Sequence, residues 1–379
     1  MKGIKRIAKV LAIALAVLVG MLIITGILFV NFSPQFGAPP SEAQKQEYAK
    51  SSHYQEGIFV NAIPTSRDIG FVNTVRVLYD FLFNELPGLE PEFPLAIERI
   101  DSLEIIRKPP ELKRLTWFGH SACLLEMEGK KIFFDPMLGE SPSPHPLLGP
   151  KRYSKELPIA IEKLPFLDAI VLSHDHYDHL DYESIMKLKD KVGKFYVPLG
   201  VSAHLIEWGV DPAKISELDW WNQATNDGFT FICTPARHFS GRGLSDGFTT
   251  LWASWVVKTE NSKIYFSGDS GYGPHFKDIG DRYGPFDFVM LECGQYNELW
   301  KDIHMMPEQT VQAAIDLKGK LMMPIHWGAF TLAMHTWRDP VDRVTITAHQ
   351  KLVPITTPKI GEPVLLQQST FPHSEWWKR

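Results

Sequence analysis

The segment VLSHDHYDHLDYESI, Val171 to Ile185, places His174, Asp175, His176, Tyr177, Asp178 and His179 in unbroken succession, the pattern HxHxDH. Imidazole nitrogens and carboxylate oxygens are ligands for a hydrolytic metal such as zinc, in sites that leave positions open for water and substrate. Alternate residues on a turn can point into one cavity, so His174 and His176 suit one ion while Asp178 and His179 face a second. Four ligands cannot complete two ions, and the rest of the chain must supply more. It offers His238 at the end of FTFICTPARH, Asp269 at the end of IYFSGD and His326 in LMMPIHW. A carboxylate such as Asp269 can bridge two cations and hold them roughly 3.5–4 Å apart. A single histidine at a strand end is more often structural, but burying a whole loop of polar groups without ions is costly.

The elements that position these residues are legible as patterns. The crowded loop follows the apolar run AIVLS and precedes the helical run DYESIMKLKD. After Leu112 come strand-length segments: LTWFGHSACLLEM, KKIFFDP, DAIVLSH, KFYVPLG, FTFICTPARH, LWASWVVKT, KIYFSGD, FDFVMLECG and LMMPIHW. A second helix is expected over MPEQTVQAAIDLKG, with Pro307 in its first turn and Gly319 at its end. Runs of strands with interspersed helices predict an α/β sandwich of two sheets covered by helices.

Ahead of this domain, Val10 to Val30 is uncharged and almost wholly apolar. At about 1.5 Å per residue it is long enough to cross a hydrocarbon core of roughly 30 Å, and it exceeds the apolar stretch of a cleaved signal peptide. Lys2, Lys5, Arg6 and Lys9 precede it and the next basic residue is Lys45, which predicts a cytoplasmic N-terminus and a domain on the far side. In a bacterium that is an inner-membrane anchor with a periplasmic domain. The expected organisation is an anchor over 1–31, a Pro- and Ser-rich linker over 32–53, an N-terminal extension over 54–111 packed on the main domain, and the main domain itself over 112–379. The extension carries an apolar helical stretch near Val75 to Phe83, which also suits contact with lipid beside the anchor.

The chain of 379 residues has 44% apolar and 22% charged residues, a globular composition with a sizeable core. A net charge of -5 gives no footprint for nucleic acid, whose polyanionic backbone rewards a basic surface. Three separated cysteines, Cys123, Cys233 and Cys293, read as small buried apolar residues rather than a disulfide framework. Trp220 and Trp221 read as core.

The motifs SHDHYDHLD, TPARHFS, FSGDSG and PIHWG, in that order, resemble those of the metallo-β-lactamase fold superfamily. The resemblance implies a four-layer αββα sandwich with a dinuclear metal site at one edge of the sheets. It implies His174, His176 and His238 on the first ion, Asp178, His179 and His326 on the second, and Asp269 bridging. More narrowly, TWFGHSACLLEM, GPKRY, LDWW, LWASWVV, GDSGYGP, YGPFD, HMMPEQTVQA and IHWGAFTLA, between about Leu115 and His335, are similar to segments of N-acyl-phosphatidylethanolamine-hydrolysing phospholipase D and its bacterial relatives. That similarity implies a phosphodiesterase acting on a phospholipid with two zinc ions per chain, and a homodimer whose interface is not legible here.

In such chemistry Asp178, Asp269 and His304 are the expected catalytic residues. His304 and His335 are candidates to bind phosphate or assist the leaving group, each with a structural role as the alternative, and His120 is expected to hold a ligand by hydrogen bonding. Three other readings stand beside this one: a lactonase with a soluble substrate, a β-lactamase, which as a family lacks a bridging aspartate like Asp269, and a non-catalytic metal-binding protein of the envelope.

Overall fold

The computed structural model describes residues 2–66, 69–83, 87–107, 109 and 111–378; of Lys2, Phe81 and Leu82 the backbone alone is described. Helix α1 (Lys2–Phe32) exposes its apolar side chains along its length, and is long and apolar enough to cross a membrane. Helix α2 (Glu42–Tyr48), the short hairpin of β1 (Tyr54–Gln55) and β2 (Ile58–Phe59), and helices α3 (Gly70–Phe83) and α4 (Ser102–Ile106) follow. The main domain opens with β3 (Arg114–Trp117), β4 (Cys123–Met127), β5 (Lys130–Phe134) and β6 (Leu167–Val171). It continues through α5 (Tyr182–Leu188), β7 (Val192–Pro198), α6 (Val201–Glu207) and β8 (Ile215–Leu218). Strands β9 (Gln223–Asn226), β10 (Phe229–Thr234), β11 (Ser254–Lys258) and β12 (Lys263–Phe266) come next, then α7 (His275–Tyr283), β13 (Phe288–Glu292), α8 (Pro307–Asp316), β14 (Met322–Ile325), α9 (Asp339–Gln350) and β15 (Pro363–Leu365).

Two sheets result. The seven-stranded one has the order β15-β3-β4-β5-β6-β7-β8 and the six-stranded one β14-β13-β12-β11-β10-β9. Each is antiparallel at one side and parallel at the other: β5 through β8 run parallel in the first, β12 through β14 in the second. Parallel neighbours bring their carboxyl ends to the same edge, and their crossovers are helices or long loops.

Period-two alternation decides which side chains enter the sandwich. On β5, Ile132 and Phe134 point between the sheets while Phe133 packs outward with Ile170, Phe195, Ile185, Leu188 and Leu205, under α5 and α6. Phe134 meets Phe266 across the sandwich at 4.9 Å between ring centroids, and Tyr196 stacks on Phe231 at 3.8 Å. Full burial of an aromatic side chain such as Phe134 contributes about 1.5–3 kcal/mol. The second sheet is covered by α7, α8 and α9 through Phe276, Val311, Ala314, Val341 and Val344. Cys123, Cys233 and Cys293 are free and buried, and Trp220 is core. Trp221 lies nearer the surface, with the Arg282 guanidinium 3.8 Å above its ring.

The segment after α1 departs from the free linker that its Pro and Ser content suggests. Pro34 O accepts from Trp208 Nε1 at 2.7 Å, Ala38 N donates to His204 Nδ1, and Gln35 O accepts two bonds from the Arg242 guanidinium. Ser41 caps α2, whose Tyr48 is buried with its hydroxyl 3.2 Å from the Glu217 carboxylate. Backbone polar groups that find partners on the domain outweigh a loop-like composition. In the extension, Phe59 and Ile105 are buried, whereas α3 leaves Phe71, Val72, Val75, Leu78, Tyr79 and Phe83 exposed.

Candidate metal centre

The donor residues follow the carboxyl ends of strands from both sheets. Strand β6 ends at Val171, and the turn holding His174 to His179 is closed by His179 N and Leu180 N on His176 O. Asp181 then caps α5, accepting from Ser184 N at 2.9 Å. From the second sheet, His238 and Asp269 stand beyond Thr234 of β10 and Phe266 of β12 rather than closing those strands; Pro235, which lacks an N–H, ends the first ladder. His326 follows β14 directly with φ 67°, and His120 in the β3–β4 turn has φ 53°. Left-handed backbone at non-glycine residues costs on the order of 1–3 kcal/mol each and collects at functional sites. His120 N donates to Trp327 O and His326 N to His120 O, which hold the pair in place. Where the loops of the two sheets approach, Gly268 has φ 54° and a Cβ there would collide with Ser173, so only glycine fits.

The donors form two groups. His174, His176 and His238 bring one ring nitrogen each within metal-sharing reach, with His174 Nε2 at 2.8 Å and His238 Nε2 at 3.2 Å from His176 Nδ1. Asp178, His179 and His326 form the second group together with His120. Asp269 lies between them: its Oδ2 is 3.1 Å from His179 Nε2, 3.7 Å from His238 Nε2 and 3.9 Å from His174 Nε2, and its Oδ1 is 3.1 Å from His326 Nδ1.

Three of these imidazoles are aimed by the nitrogen that faces away from the centre. His238 Nδ1 bonds Ile303 O at 2.9 Å, His179 Nδ1 bonds Asp135 Oδ2 at 2.6 Å, and His174 Nδ1 faces Ser173 Oγ at 2.9 Å. His120 Nε2 bonds Asp178 Oδ2 at 2.9 Å, fixing that carboxylate. This is how ligand histidines are oriented in metal proteins. Two buried inward atoms, His179 Nε2 and Asp269 Oδ1, make no hydrogen bond. Each lies 3.1 Å from a neighbouring donor-group atom without hydrogen-bond geometry, and a cation at the centre would satisfy both. These His and Asp residues are placed to bind metal.

Electrostatics agree with that placement. Burial, then the neighbouring imidazoles, holds His174 and His238 well below the usual histidine range; burial does the same to His326, with His120 and His179 beside it. Neutral imidazole is the form that ligates. Burial opposes charge on His179 too, but the carboxylates of Asp269, Asp178 and Asp135 outweigh it and push the ring well up. A proton on His179 or a divalent cation at its Nε2 would each answer those carboxylates. Burial raises Asp269 to about 6 despite the nearby His179.

The centre opens into a cleft of about 450 Å³ walled by Ile69, Phe239, Trp300, Ile303 and Leu332, with His176, Asp178, Asp269 and His304 on its floor. His304 joins the centre, with its Nδ1 3.2 Å from Glu292 Oε2. His335 does not line the cleft: it stacks on Tyr296 at 4.4 Å and borders a smaller neighbouring pocket, separated by Gln295 and Phe330.

Several residues that hold the site carried no motif. Asp135 follows β5 and accepts from Ser173 N and Ser173 Oγ as well as His179. Glu292 ends β13, fully buried, held well above the usual carboxylate range by burial, and accepts from Met305 N at 2.7 Å. Asn61 in the extension pairs with both backbone groups of His238. Buried Arg242 donates to Asp175 O and Leu180 O and so straps the metal loop. The available signal was positional: FFDP and VMLE end apolar strands on a carboxylate just as the metal motifs do.

Fold and centre define a class. The chain belongs to the β-lactamase superfamily: the profile of the β-lactamase superfamily domain matches residues 130–327. An uncharacterised protein of Mycobacterium tuberculosis is 40% identical over 87% of this chain and 88% of its own length. N-acyl-phosphatidylethanolamine-hydrolyzing phospholipase D 1 of Caenorhabditis elegans is 35% identical over 60% of this chain and 68% of its own. Among solved structures, an isothiocyanate hydrolase from Delia radicum gut bacteria superposes with a TM-score of 0.53 at 23% identity, covering 66% of this chain and 98% of that one, a likeness of fold. The chain is thus a metal-dependent hydrolase of the metallo-β-lactamase superfamily with phospholipase D homologues.

Proposed function

We propose that this chain is a membrane-anchored, dinuclear zinc phosphodiesterase of phospholipase D type, acting on N-acyl-phosphatidylethanolamine or a related phospholipid. The observation that carries this reading is the joining of two donor groups by Asp269 at the floor of a cleft whose walls are apolar. The activity for which the nematode relative is named supports the phospholipid assignment, and the predominance of imidazole supports zinc. His174, His176 and His238 would hold one ion, Asp178, His179 and His326 the other, and Asp269 both.

When bound, such ions would supply Lewis acidity toward the phosphate oxygens and would lower the pKa of a bound water to about 7. The protein's own contribution is positional. The carboxylates of Asp178 and Asp269 face the cleft and orient the attacking water toward phosphorus. His304, its Nδ1 3.2 Å from Glu292, takes the proton that the attacking water gives up and passes it to the alkoxide oxygen as the bond from phosphorus to that oxygen breaks. Ile69, Phe239, Trp300 and Leu332 seat acyl chain and exclude bulk water. Helix α1 keeps the domain beside its lipid substrate, with the basic residues before it on the cytoplasmic side, and exposed α3 lies against lipid near the cleft through the adjoining Ile69.

The test is hydrolysis of N-acyl-phosphatidylethanolamine in mixed micelles by the zinc-loaded chain, with metal content measured in parallel. Phosphatidic acid formed by the parent, and lost together with metal in Asp269→Ala, is expected. Two metals per chain without product would overturn the substrate and leave the metal centre.

A further inference from the structure

Two loops beside the end of α1 have no part in the chemistry above. The first, 141–149, reads SPSPHPLLG; its His145 ring packs edge-on against Phe29 at 6.3 Å. Leu148 N donates to His145 O and Leu147 N to His145 Nδ1, closing a turn from which Leu147 and Leu148 project, 83% and 65% exposed. The second, 241–247, reads GRGLSDG. Its base is fixed by Arg242 on Gln35 O, its turn by the Asp246 carboxylate accepting from Arg242 N and Gly243 N, and Leu244 at its tip is 91% exposed. Tyr177 of the metal loop links the second loop to the segment after α1, its hydroxyl donating to Arg242 O and its ring 6.2 Å from Phe36.

Scattered exposed leucines are ordinary and need no explanation. These three stand on loops whose bases touch the last turn of α1 or the residues that follow it. Phe29 lies inside the uncharged run that ends at Val30, so a ring in contact with it sits at the depth where that apolar run meets polar chain. Both loops are also braced, one by a closed turn and one by a buried arginine, so their tips are presented in fixed positions. The edge of the cleft formed by His176 and Phe239, whose rings are 4.5 Å apart, adjoins Tyr177 in sequence.

The geometry points to a lipid-docking surface in which Leu147, Leu148 and Leu244 enter the headgroup boundary of the bilayer that α1 crosses and hold the His176–Phe239 edge of the cleft against it. The occupant is a bilayer rather than another protein because the chain's own helix already brings it there. This surface rests on the anchor reading and is independent of the substrate. Amphipathic loops and helices bind such a boundary through their apolar area.

The test uses the full chain in vesicles of phosphatidylcholine and phosphatidylglycerol, some lipids carrying a nitroxide on the acyl chain. Cys123, Cys233 and Cys293 are fully buried, so an environment-sensitive fluorophore reports from one introduced cysteine at a time, with the parent chain as blank. Leu147→Cys and Leu244→Cys should show blue-shifted emission that is quenched by the nitroxide lipids. Leu352→Cys, an 89% exposed site beside the amino end of β14 and so away from the metal edge, should show neither. Ile23→Cys within α1 reports the anchor. Quenching at 23 with 147 and 244 behaving like 352 overturns the docking surface and leaves the anchor. Absence of quenching at 23 overturns the anchor and the surface with it. A blue shift at 147 and 244 without quenching, growing with the protein-to-lipid ratio, assigns the leucines to a second copy of the chain and also overturns the proposal.

Discussion

Asp135 shows how much of the centre depends on a residue with no motif of its own. Its carboxylate takes Ser173 N at 2.7 Å, Ser173 Oγ at 2.5 Å and His179 Nδ1 at 2.6 Å, so it orders one donor and the start of the loop that carries three others. Asp135→Ala should lower metal affinity by about 10–100-fold, the usual effect of losing a group that orients a ligand; competition with a chromogenic chelator measures it. Glu292 gives a contrasting pair. Glu292→Gln keeps the shape of the side chain and an acceptor for Met305 N, whereas Glu292→Ala leaves that buried N–H without its acceptor, a loss of about 1–3 kcal/mol by denaturant titration. His275, whose Nε2 lies 3.0 Å from Oγ of Ser270 next to Asp269, supplies a pH dependence of stability. Burial, and after it Arg237, presses its pKa from 6.5 down to about 3. Between those values the unfolded chain binds a proton that the folded chain refuses, so stability falls as pH drops through this window, by about 1.4 kcal/mol per unit from this group. His275→Gln should flatten the stability curve there by that slope. The donors were legible in sequence because several chemically costly residues recur where apolar runs stop. Asp135 and Glu292 share that position, but one carboxylate after one strand is indistinguishable from an ordinary turn residue.

Among the elements, the strands were the most readable, because short apolar runs broken by turn residues leave little choice of structure. The pairing was less so. Nothing in PVL or its neighbours announces that β15 returns across the domain to close the first sheet beside β3; that pairing is fixed by side-chain fit at long sequence separation. The segment 32–53 misleads in the opposite direction, since its composition suggests slack chain while its carbonyls are partners of Trp208 and Arg242. Arg242 is the joint of this arrangement: one guanidinium serves the carbonyls of Gln35, Asp175 and Leu180, and lies over the rings of Tyr177 and Trp208. Arg242→Leu strands three carbonyls at once and should cost roughly 3 kcal/mol or more, seen as a lower Tm together with weaker metal binding because the strapped loop carries the donors.

At the scale of the whole molecule, two truncations separate the anchor from the clasp behind it. A chain beginning at Ser33 loses α1 but keeps Pro34, Gln35 and Tyr48 on the domain, and should fold with nearly unchanged Tm. One beginning at Tyr54 loses all three contacts, uncovers the site of a fully packed tyrosine, and should melt at a clearly lower temperature in the same calorimeter. The placement of donors has a mechanical consequence as well. His174, His176, Asp178 and His179 hang from the first sheet, and His238, Asp269 and His326 from the second, so every ion they share is a rivet driven through the seam between the two halves. Metal removal should then act on the entire fold rather than on one loop, with free ion at a hundredfold above Kd contributing about 2.7 kcal/mol for one site. A chain still assembling its second sheet has no complete grip on the ion, and capture of metal becomes a sign that both halves have closed.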